Sequence, residues 1–148
     1  MAAEPSTMRV ETAHAVAVRS RADGATEGAA AAPVWVGVVR SPPAWFRRHV
    51  DEQYPELGLP ATTREALNRR RRDLRMQGLC EEGAHNAAWE ELAVDGRYRS
   101  ELADEGVDVL DSLASRERPV VLATDRRPGF RCHREVLAAL LRERADGP

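Results

Sequence analysis

The last third of the chain reads as a helix, a strand and a second helix, and this order restricts the fold most strongly. Apolar residues at helical spacing in Val107–Ser115 predict the first helix, and the short apolar run Pro119–Thr124 predicts the strand. The second helix has Leu137 and Leu141 on its apolar stripe. Strands that are joined through helices pair in parallel, because the crossover helix packs back onto the sheet. We therefore predict a small three-layer, Rossmann-like α/β domain with a mostly parallel sheet.

Two earlier segments are predicted as further strands. Val34–Arg40 is apolar almost throughout, which suits a strand that is covered on both faces of a sheet. The two prolines that follow end this strand, because proline lacks the donor that a sheet requires. In Ala13–Arg19, the side chains of His14, Val16 and Val18 share one face, so this segment is predicted as the first strand.

The composition along the chain divides it into a tail and one domain. Residues 1–12 are predicted to form a disordered tail, and residues 13–145 a single α/β domain with a flexible insert at residues 21–33. The insert is small, contains glycine and has no apolar period. A length of 148 residues suits one domain with one core of moderate size.

The middle of the chain is predicted to be helical. Residues 44–51 begin a short helix that carries two aromatic side chains. Thr62–Thr63 is a candidate cap for a longer helix, which Gly78 ends. Residues 86–103 form one helix or two, with a weak point at Gly96. The large aromatic side chains of these segments are expected mainly in the core.

The overall composition excludes several classes of partner. A net charge of -2 gives no general attraction to nucleic acid or to anionic lipid, although all 22 basic residues are arginine. Cys80 and Cys132 are too few for a disulfide framework. No apolar stretch approaches the roughly 20 residues that span a bilayer, and no signal peptide is recognisable. We therefore expect a cytoplasmic protein with free thiols and no membrane partner, and its oligomeric state stays open.

Polar side chains cluster where the predicted parallel strands end, and ligands of such sheets sit at the carboxyl ends of the strands. The clusters follow Val34–Arg40 and Pro119–Thr124 and occupy the start of the last helix. Arginine binds phosphate or carboxylate through two parallel hydrogen bonds, and helix N-termini attract anions. We predict that one crevice binds a small anion there. Its predicted ligand-binding residues are Arg40, Ser41, Thr124, Asp125, His133 and Arg134, with Arg40 and Arg134 holding the anion.

Cys132 is the candidate nucleophile of this crevice. A helix N-terminus and the neighbouring Arg131 and Arg134 favour its thiolate, whereas the alternative is a small apolar side chain packed under the turn. His133 follows directly in the chain. Because successive side chains on a helix point about 100° apart, His133 is not expected to act as the base for Cys132.

Cofactor and metal motifs are missing from the sequence. It has neither the glycine-rich dinucleotide fingerprint nor the P-loop, so we predict no cofactor. Ala138 stands where a cysteine phosphatase loop would end in arginine. Cys80, His85, Cys132 and His133 are nominal zinc ligands, but their spacing matches no paired-ligand pattern, so we predict no metal site.

The densest basic run of the chain lies in the predicted helix Arg64–Arg75. Four successive arginines, Arg69–Arg72, point all round a helix, so only part of the run can face one partner. A solvated helix face is the favoured interpretation. A nucleic-acid-binding patch is the alternative.

Several segments together resemble a known family. Residues 122–141, LATDRRPGFRCHREVLAALL, are similar to the Cys-His-Arg strand–turn–helix of the family called domain of unknown function 488. Residues 38–46, VVRSPPAWF, resemble its Arg-x-Pro-Pro-x-Trp-Phe stretch. Further similar segments are Tyr54–Leu57, Trp89–Leu92 and Tyr98–Leu102. The resemblance covers most of the chain and implies a small α/β fold, but it carries no agreed reaction. Where this family often has a cysteine and a glutamate, the chain has Ala123, Thr124 and Asp125.

These observations favour one function and leave two alternatives. The favoured function is binding of a small phosphorylated or nucleotide-like anion at the strand ends, and thiol-dependent chemistry at Cys132 stays an option. The first alternative is a non-catalytic protein- or RNA-binding module that uses the Arg64–Arg75 helix. The second is a structural domain in which Cys132, His133 and Arg134 only join helix to sheet. Whether the chain is an enzyme stays open.

Overall fold

A four-stranded parallel sheet forms the centre of the computed structural model, which describes residues 9–21 and 32–146. The strands are β1 (Val10–Ala13), β2 (Val34–Gly37), β3 (Glu52–Gln53) and β4 (Val120–Ala123). They lie in the order β1-β4-β2-β3, and all neighbouring strands pair in parallel. This confirms the predicted α/β class.

Helices cover both faces of the sheet. The smaller layer consists of α1 (Ala15–Ser20) and α2 (Ala44–Arg47). The larger layer consists of α3 (Ala61–Met76), α4 (Glu81–Glu91), α5 (Val94–Glu105), α6 (Val107–Ala114) and α7 (His133–Asp146). A 3-10 helix, Pro55–Leu57, precedes α3.

The core is divided between the two faces of β4. All four residues of β4 are buried, and successive strand side chains point to opposite faces. Val120 and Leu122 belong to the larger apolar cluster, which contains residues from α3 to α7. Val121 and Ala123 belong to a smaller cluster that includes Phe46 of α2. The domain therefore has the predicted three layers.

The strand register brings three strand ends to one edge. Ala123 at the end of β4 pairs with Ala13 of β1 and with Gly37 of β2. Hydrogen bonds continue just beyond the strands, because Thr124 N–H donates to Ala13 O at 3.0 Å and Val38 N–H donates to Ala123 O at 3.1 Å. The segments that follow β1, β2 and β4 therefore begin side by side.

The prediction of the first strand is wrong in its position. The strand is Val10–Ala13, and most of the predicted strand Ala13–Arg19 is the helix α1. His14 follows the strand and caps α1, since its Nδ1 accepts a hydrogen bond from Ala17 N–H at 3.3 Å. The sheet therefore starts inside the segment that was predicted as a tail. Residues 1–8 and 22–31, which contain most of the predicted tail and insert, lie outside the described residues.

The predicted helix boundaries need two further corrections. Pro60, not Thr62–Thr63, precedes α3, and Thr63 is buried within the helix. Residues 86–103 contain a break at Ala93, whose φ of 50° is left-handed, so α4 and α5 are separate. The stop at Gly78 is confirmed, because its φ of 104° is a conformation that favours glycine.

The aromatic residues are mostly part of the core, as predicted. Phe46, Trp89 and Tyr98 are fully buried, and Trp45 is half-buried beside Phe46. Among residues 9–21 and 32–146, the model has no helix with the length and apolar character needed to cross a membrane.

A glycine pair tests how closely the loop after β3 packs against the segment after β2. A Cβ at Gly58 would lie 2.4 Å from the backbone nitrogen of Arg40, whereas a Cβ at Gly96, in α5, would meet no atom within 4 Å. We expect Gly58→Ala to lower the free energy of unfolding by about 1–3 kcal/mol through overpacking. Gly96→Ala should leave it unchanged or raise it by up to about 1 kcal/mol. Urea unfolding of both variants checks this, and equal stability of the two would contradict the close approach.

Candidate functional site

A cysteine–histidine pair lies at the carboxyl edge of the sheet, where α7 begins. The Sγ atom of Cys132 is 3.6 Å from Nδ1 of His133, and both residues are buried. The Nε2 atom of His133 is 2.6 Å from the carbonyl oxygen of Val38, directly after β2. A carbonyl only accepts, so Nε2 carries a proton and donates it, which leaves Nδ1 to face the sulfur.

This contact overturns the expectation that His133 and Cys132 diverge. The separation of about 100° applies to successive residues within a helix. α7 begins at His133, so Cys132 precedes the helix and does not follow helical geometry. Its sulfur can therefore turn towards the imidazole of the next residue.

The pair favours a charged form. Burial by itself would raise the pKa of the Cys132 thiol, but the charge and hydrogen bond of His133, together with Arg134, outweigh burial and lower this pKa to about 6. Burial by itself would lower the pKa of His133, but the thiolate of Cys132 raises it above the ordinary value. A thiolate and an imidazolium therefore stabilise each other near neutral pH.

Thr124 and Arg134 complete the surroundings of the sulfur. The Oγ1 atom of Thr124 is 3.5 Å from Sγ of Cys132 and accepts a hydrogen bond from Nη1 of Arg134 at 3.0 Å. Because the guanidinium donates to the oxygen of this hydroxyl, the hydroxyl hydrogen is free to point at a thiolate of Cys132. Arg134 is buried and additionally pairs with Glu135 at 3.1 Å.

A cavity of about 370 Å³ lies beside this cluster and is rich in arginine. We call it the arginine cavity. It is lined by Val39, Arg40, Ser41, Leu59, Arg64, Leu67, Asn68, Arg71, Glu81, Asp125, Arg126, Arg127, Phe130 and His133. Five guanidinium groups thus surround it against two carboxylates, which leaves an excess of positive charge even with His133 neutral.

Of the five guanidinium groups, those of Arg40 and Arg127 have short contacts with the protein, whereas Arg71 makes only a longer hydrogen bond, to Asn68 at 3.4 Å. Arg40 donates from Nε to Leu59 O at 2.9 Å and from Nη2 to Gly58 O at 3.1 Å. Arg127 pairs with Glu81 at 2.8 Å and lies over the ring of Phe130, 4.6 Å from its centroid. These contacts fix the two side chains on the cavity wall.

Arg64 and Arg71 are less well compensated. Among the described residues, the Nε atom of each is buried without a hydrogen-bond partner. Burial lowers the pKa of Arg71, and Arg126, Arg127 and Arg75 add to this effect, whereas Glu81, 4.0 Å away, opposes it. A bound anion would relieve this repulsion.

A second hollow, of about 360 Å³, is lined by the turn before α7 and by the first residues of α7. We call it the cysteine hollow. It is lined by Asp95, Gly129, Phe130, Arg131, Cys132, Arg134, Glu135 and Val136.

The predicted crevice is thus two sites. Arg40, Ser41, Asp125 and His133 line the arginine cavity, whereas Cys132 and Arg134 line the cysteine hollow. Thr124 is buried and contacts the latter pair. Arg134 therefore does not share the arginine cavity with Arg40, and the predicted grip of these two arginines on one anion does not match the geometry.

Sequence reasoning missed the contribution of α3 to this site. Arg64 and Arg71 line the arginine cavity, although the run that contains them was interpreted as a solvated face. They are seven residues apart and therefore lie on the same side of a helix, as does Leu67 between them. That spacing, with a buried leucine inside an arginine run, is the signal that could have identified them.

His85 of α4 helps to fix the shape of the turn before α7. The Nε2 atom of His85 donates to Arg131 O at 2.7 Å, and the ring packs against Phe130 with centroids 5.2 Å apart. Asn86, the next residue of α4, accepts from Arg131 N–H at 2.9 Å and donates to Gly129 O at 3.0 Å. The segment that separates the two cavities is therefore anchored to α4.

The nominal zinc ligands do not assemble. Cys80 is exposed and caps α4, where its sulfur accepts from Gly83 N–H at 3.3 Å. Within the part of the chain that the structure describes, no group of three His, Cys, Asp or Glu residues is placed to hold a metal ion.

Comparison with known proteins adds no identification. No family model, no curated protein and no solved structure matches the chain. The resemblance to domain of unknown function 488 therefore stays a prediction from the sequence.

The pH dependence of stability tests the burial of His85. Burial is the main cause that lowers the pKa of His85 to about 4, and Arg126 and Arg71 contribute, although the hydrogen bond to Arg131 opposes them. The unfolded chain binds this proton near pH 6.5 and the folded chain only near pH 4, so stability is lost as the pH falls through this window. At about 1.4 kcal/mol per pKa unit, the loss is on the order of 3 kcal/mol.

We expect His85→Gln, which keeps a donor for Arg131 O, to reduce this acid-induced loss of stability. Urea unfolding at a series of pH values, with the wild-type curve subtracted, isolates the contribution of His85. A variant with the same pH dependence as the wild type would contradict the assignment.

Proposed function

We propose that the protein binds a small phosphorylated or nucleotide-like anion in the arginine cavity. The observation that carries this proposal is the pair of α3 arginines, Arg64 and Arg71, whose buried Nε atoms have no hydrogen-bond partner among the described residues. A buried donor without a partner is costly, and a phosphate oxygen supplies the missing acceptor. The site therefore uses Arg64 and Arg71 where the sequence suggested Arg134.

The size and lining of the cavity support an organic phosphate. A volume of about 370 Å³ is within the ordinary range of small-molecule sites. The wall also includes Leu59, Leu67 and the ring of Phe130, which suit an apolar or aromatic portion of a ligand. A wall that combines arginines with apolar side chains suits a phosphate joined to a base or a carbon skeleton.

The cellular location that we propose is based on the two free cysteines. Both Cys80 and Cys132 are free, and free thiols are typical of a reducing compartment. We therefore keep the cytoplasm as the proposed location.

The alternative function uses the outer side of α3. Arg69, Arg72 and Arg75 line a shallow surface hollow outside the arginine cavity, and this is the surface that an RNA or acidic protein would contact. Arg70 is already paired with Glu91 and contributes less to such a surface. Arg71 lines both this hollow and the arginine cavity. Arg64 lines only the cavity, and Arg69 and Arg72 line only the outer hollow, so these arginines separate the two functions.

Paired substitutions on α3 test the proposal. Thermal and urea unfolding with inorganic phosphate and with adenosine monophosphate should show stabilisation of the wild type, about 2.7 kcal/mol at a hundred times Kd. Arg64→Ala with Arg71→Ala should abolish the stabilisation, because it removes both donors from the cavity.

The matched control is Arg69→Ala with Arg72→Ala, which removes the same charge from the same helix outside the cavity. This control should bind as the wild type does. No stabilisation of the wild type by either compound would refute the proposal. An equal loss of ligand-induced stabilisation in both double variants would instead favour the alternative, in which the outer side of α3 acts as a general basic surface.

A further inference from the structure

The sulfur of Cys132 is surrounded by groups that stabilise a thiolate and can donate protons. His133 faces it with Nδ1 at 3.6 Å, and the Nε2 atom of the same ring is fixed by Val38 O at 2.6 Å. This is a nucleophile, a base and a group that orients the base, the arrangement that activates a catalytic thiol. The hydroxyl oxygen of Thr124 also lies 3.5 Å from the sulfur.

Titratable and charged groups from two elements surround the Cys132–His133 pair. On its own element these are His133 and Arg134, and the side chain of Arg134 reaches the sulfur through Thr124. From α5, Tyr98 packs edge-on against the His133 ring, with centroids 5.2 Å apart. Asp95 of α5 lies on the rim of the cysteine hollow, but its carboxylate is occupied by Trp89 and Arg131.

Access to the sulfur is narrow. Cys132 lines the cysteine hollow, yet only 4% of the residue is exposed. Such limited exposure favours a small neutral molecule over a macromolecular electrophile as the reaction partner. An anion in the arginine cavity would not contact Cys132, because Cys132 does not line that cavity.

We propose that Cys132 is a peroxide-reactive thiol, which a small hydroperoxide entering the cysteine hollow oxidises reversibly to a sulfenic acid. Two observations carry the proposal. One is the fixed pairing of Sγ with His133 Nδ1, and the other is the Thr124 hydroxyl beside the sulfur, to which the guanidinium of Arg134 donates. This goes beyond anion binding and does not depend on it, because the two sites are separate.

The step balances with hydrogen peroxide as the oxidant. The thiolate attacks one oxygen, so that a sulfur–oxygen bond forms while the oxygen–oxygen bond breaks. The electron pair of the broken bond leaves on the second oxygen as hydroxide, which takes the proton from Nδ1 of the His133 imidazolium and becomes water. Sulfur loses two electrons and the peroxide gains them. Thr124 and Arg134 stabilise the charge that develops on the departing oxygen.

A small thiol reverses the oxidation. Its sulfur displaces water from the sulfenic acid and forms a mixed disulfide with Cys132, and a second thiol then releases the reduced cysteine. The second cysteine of the chain, Cys80, is exposed at the start of α4 and serves as an internal reference thiol.

The experiment compares the two cysteines within one sample. The full chain is treated at pH 7 with hydrogen peroxide in the presence of dimedone, which traps sulfenic acid, and each labelled peptide is measured by mass spectrometry. We expect Cys132 to be labelled faster than Cys80, by at least about tenfold. Accessibility alone gives the opposite order, because Cys80 is exposed and Cys132 is buried. Treatment with dithiothreitol, without dimedone, should restore the Cys132 thiol.

A threonine pair provides matched variants. Thr124→Val keeps the shape of the side chain but removes the hydroxyl, and should slow Cys132 labelling by about five- to tenfold, the equivalent of one hydrogen bond. Thr63→Val, at a buried threonine of α3, should leave the rate unchanged. Circular dichroism confirms that both variants fold.

Three results would overturn the proposal. The first is labelling of Cys80 before Cys132. The second is labelling of Cys132 only after urea unfolds the chain, and the third is an equal rate in both threonine variants. Phosphate binding is measured separately, so failure here leaves the anion-binding proposal unaffected.

Discussion

The central position of β4 determines where the functional groups lie. This strand has four residues, and it pairs with β1 on one side and with β2 on the other in the same register. Because the three strands end level with one another, Val38 after β2 and Thr124 after β4 come to one edge of the sheet. The turn after β4 then brings the start of α7 back over the end of β2, where His133 donates to Val38 O. One hydrogen bond thus joins the helix to a strand that precedes it by about a hundred residues of chain.

The parts of the fold that could be predicted are those with a strong local pattern. The apolar runs that became β2 and β4 and the amphipathic stripe of α7 are such patterns, and the parallel sheet follows from their order. The first strand was misplaced because alanine and valine alternate in a segment that is short enough for either a strand or a helix. There the cap at His14 and the pairing of Val10 with Val120 decide the structure. Neither contact has a local signal in the sequence.

The candidate site was predictable in its position but not in its internal arrangement. The rule that ligands lie at the carboxyl ends of parallel strands groups Arg40, Asp125 and His133, and all three line the arginine cavity. The rule cannot show that Thr124 is buried and accepts a hydrogen bond from Arg134 at 3.0 Å, or that this arginine lies outside the arginine cavity. Nor does it include Arg64 of α3, since helix packing against the strand ends depends on contacts between residues distant in the chain.

The two sites differ in how their charge is balanced, and this difference separates their chemistry. At the cysteine hollow, the thiolate of Cys132 and the imidazolium of His133 neutralise each other, so the site needs no external ion. Attack on a neutral molecule is the chemistry that such an internal pair favours. In the arginine cavity, burial and neighbouring guanidinium groups act on Arg71 with only a distant carboxylate to oppose them. A ligand from outside would balance its charge best, which is the reason for proposing recognition of an anion there. His133 lies between the two sites, and the thiolate of Cys132 neutralises its charge. The imidazolium therefore adds little to the attraction of an anion to the arginine cavity.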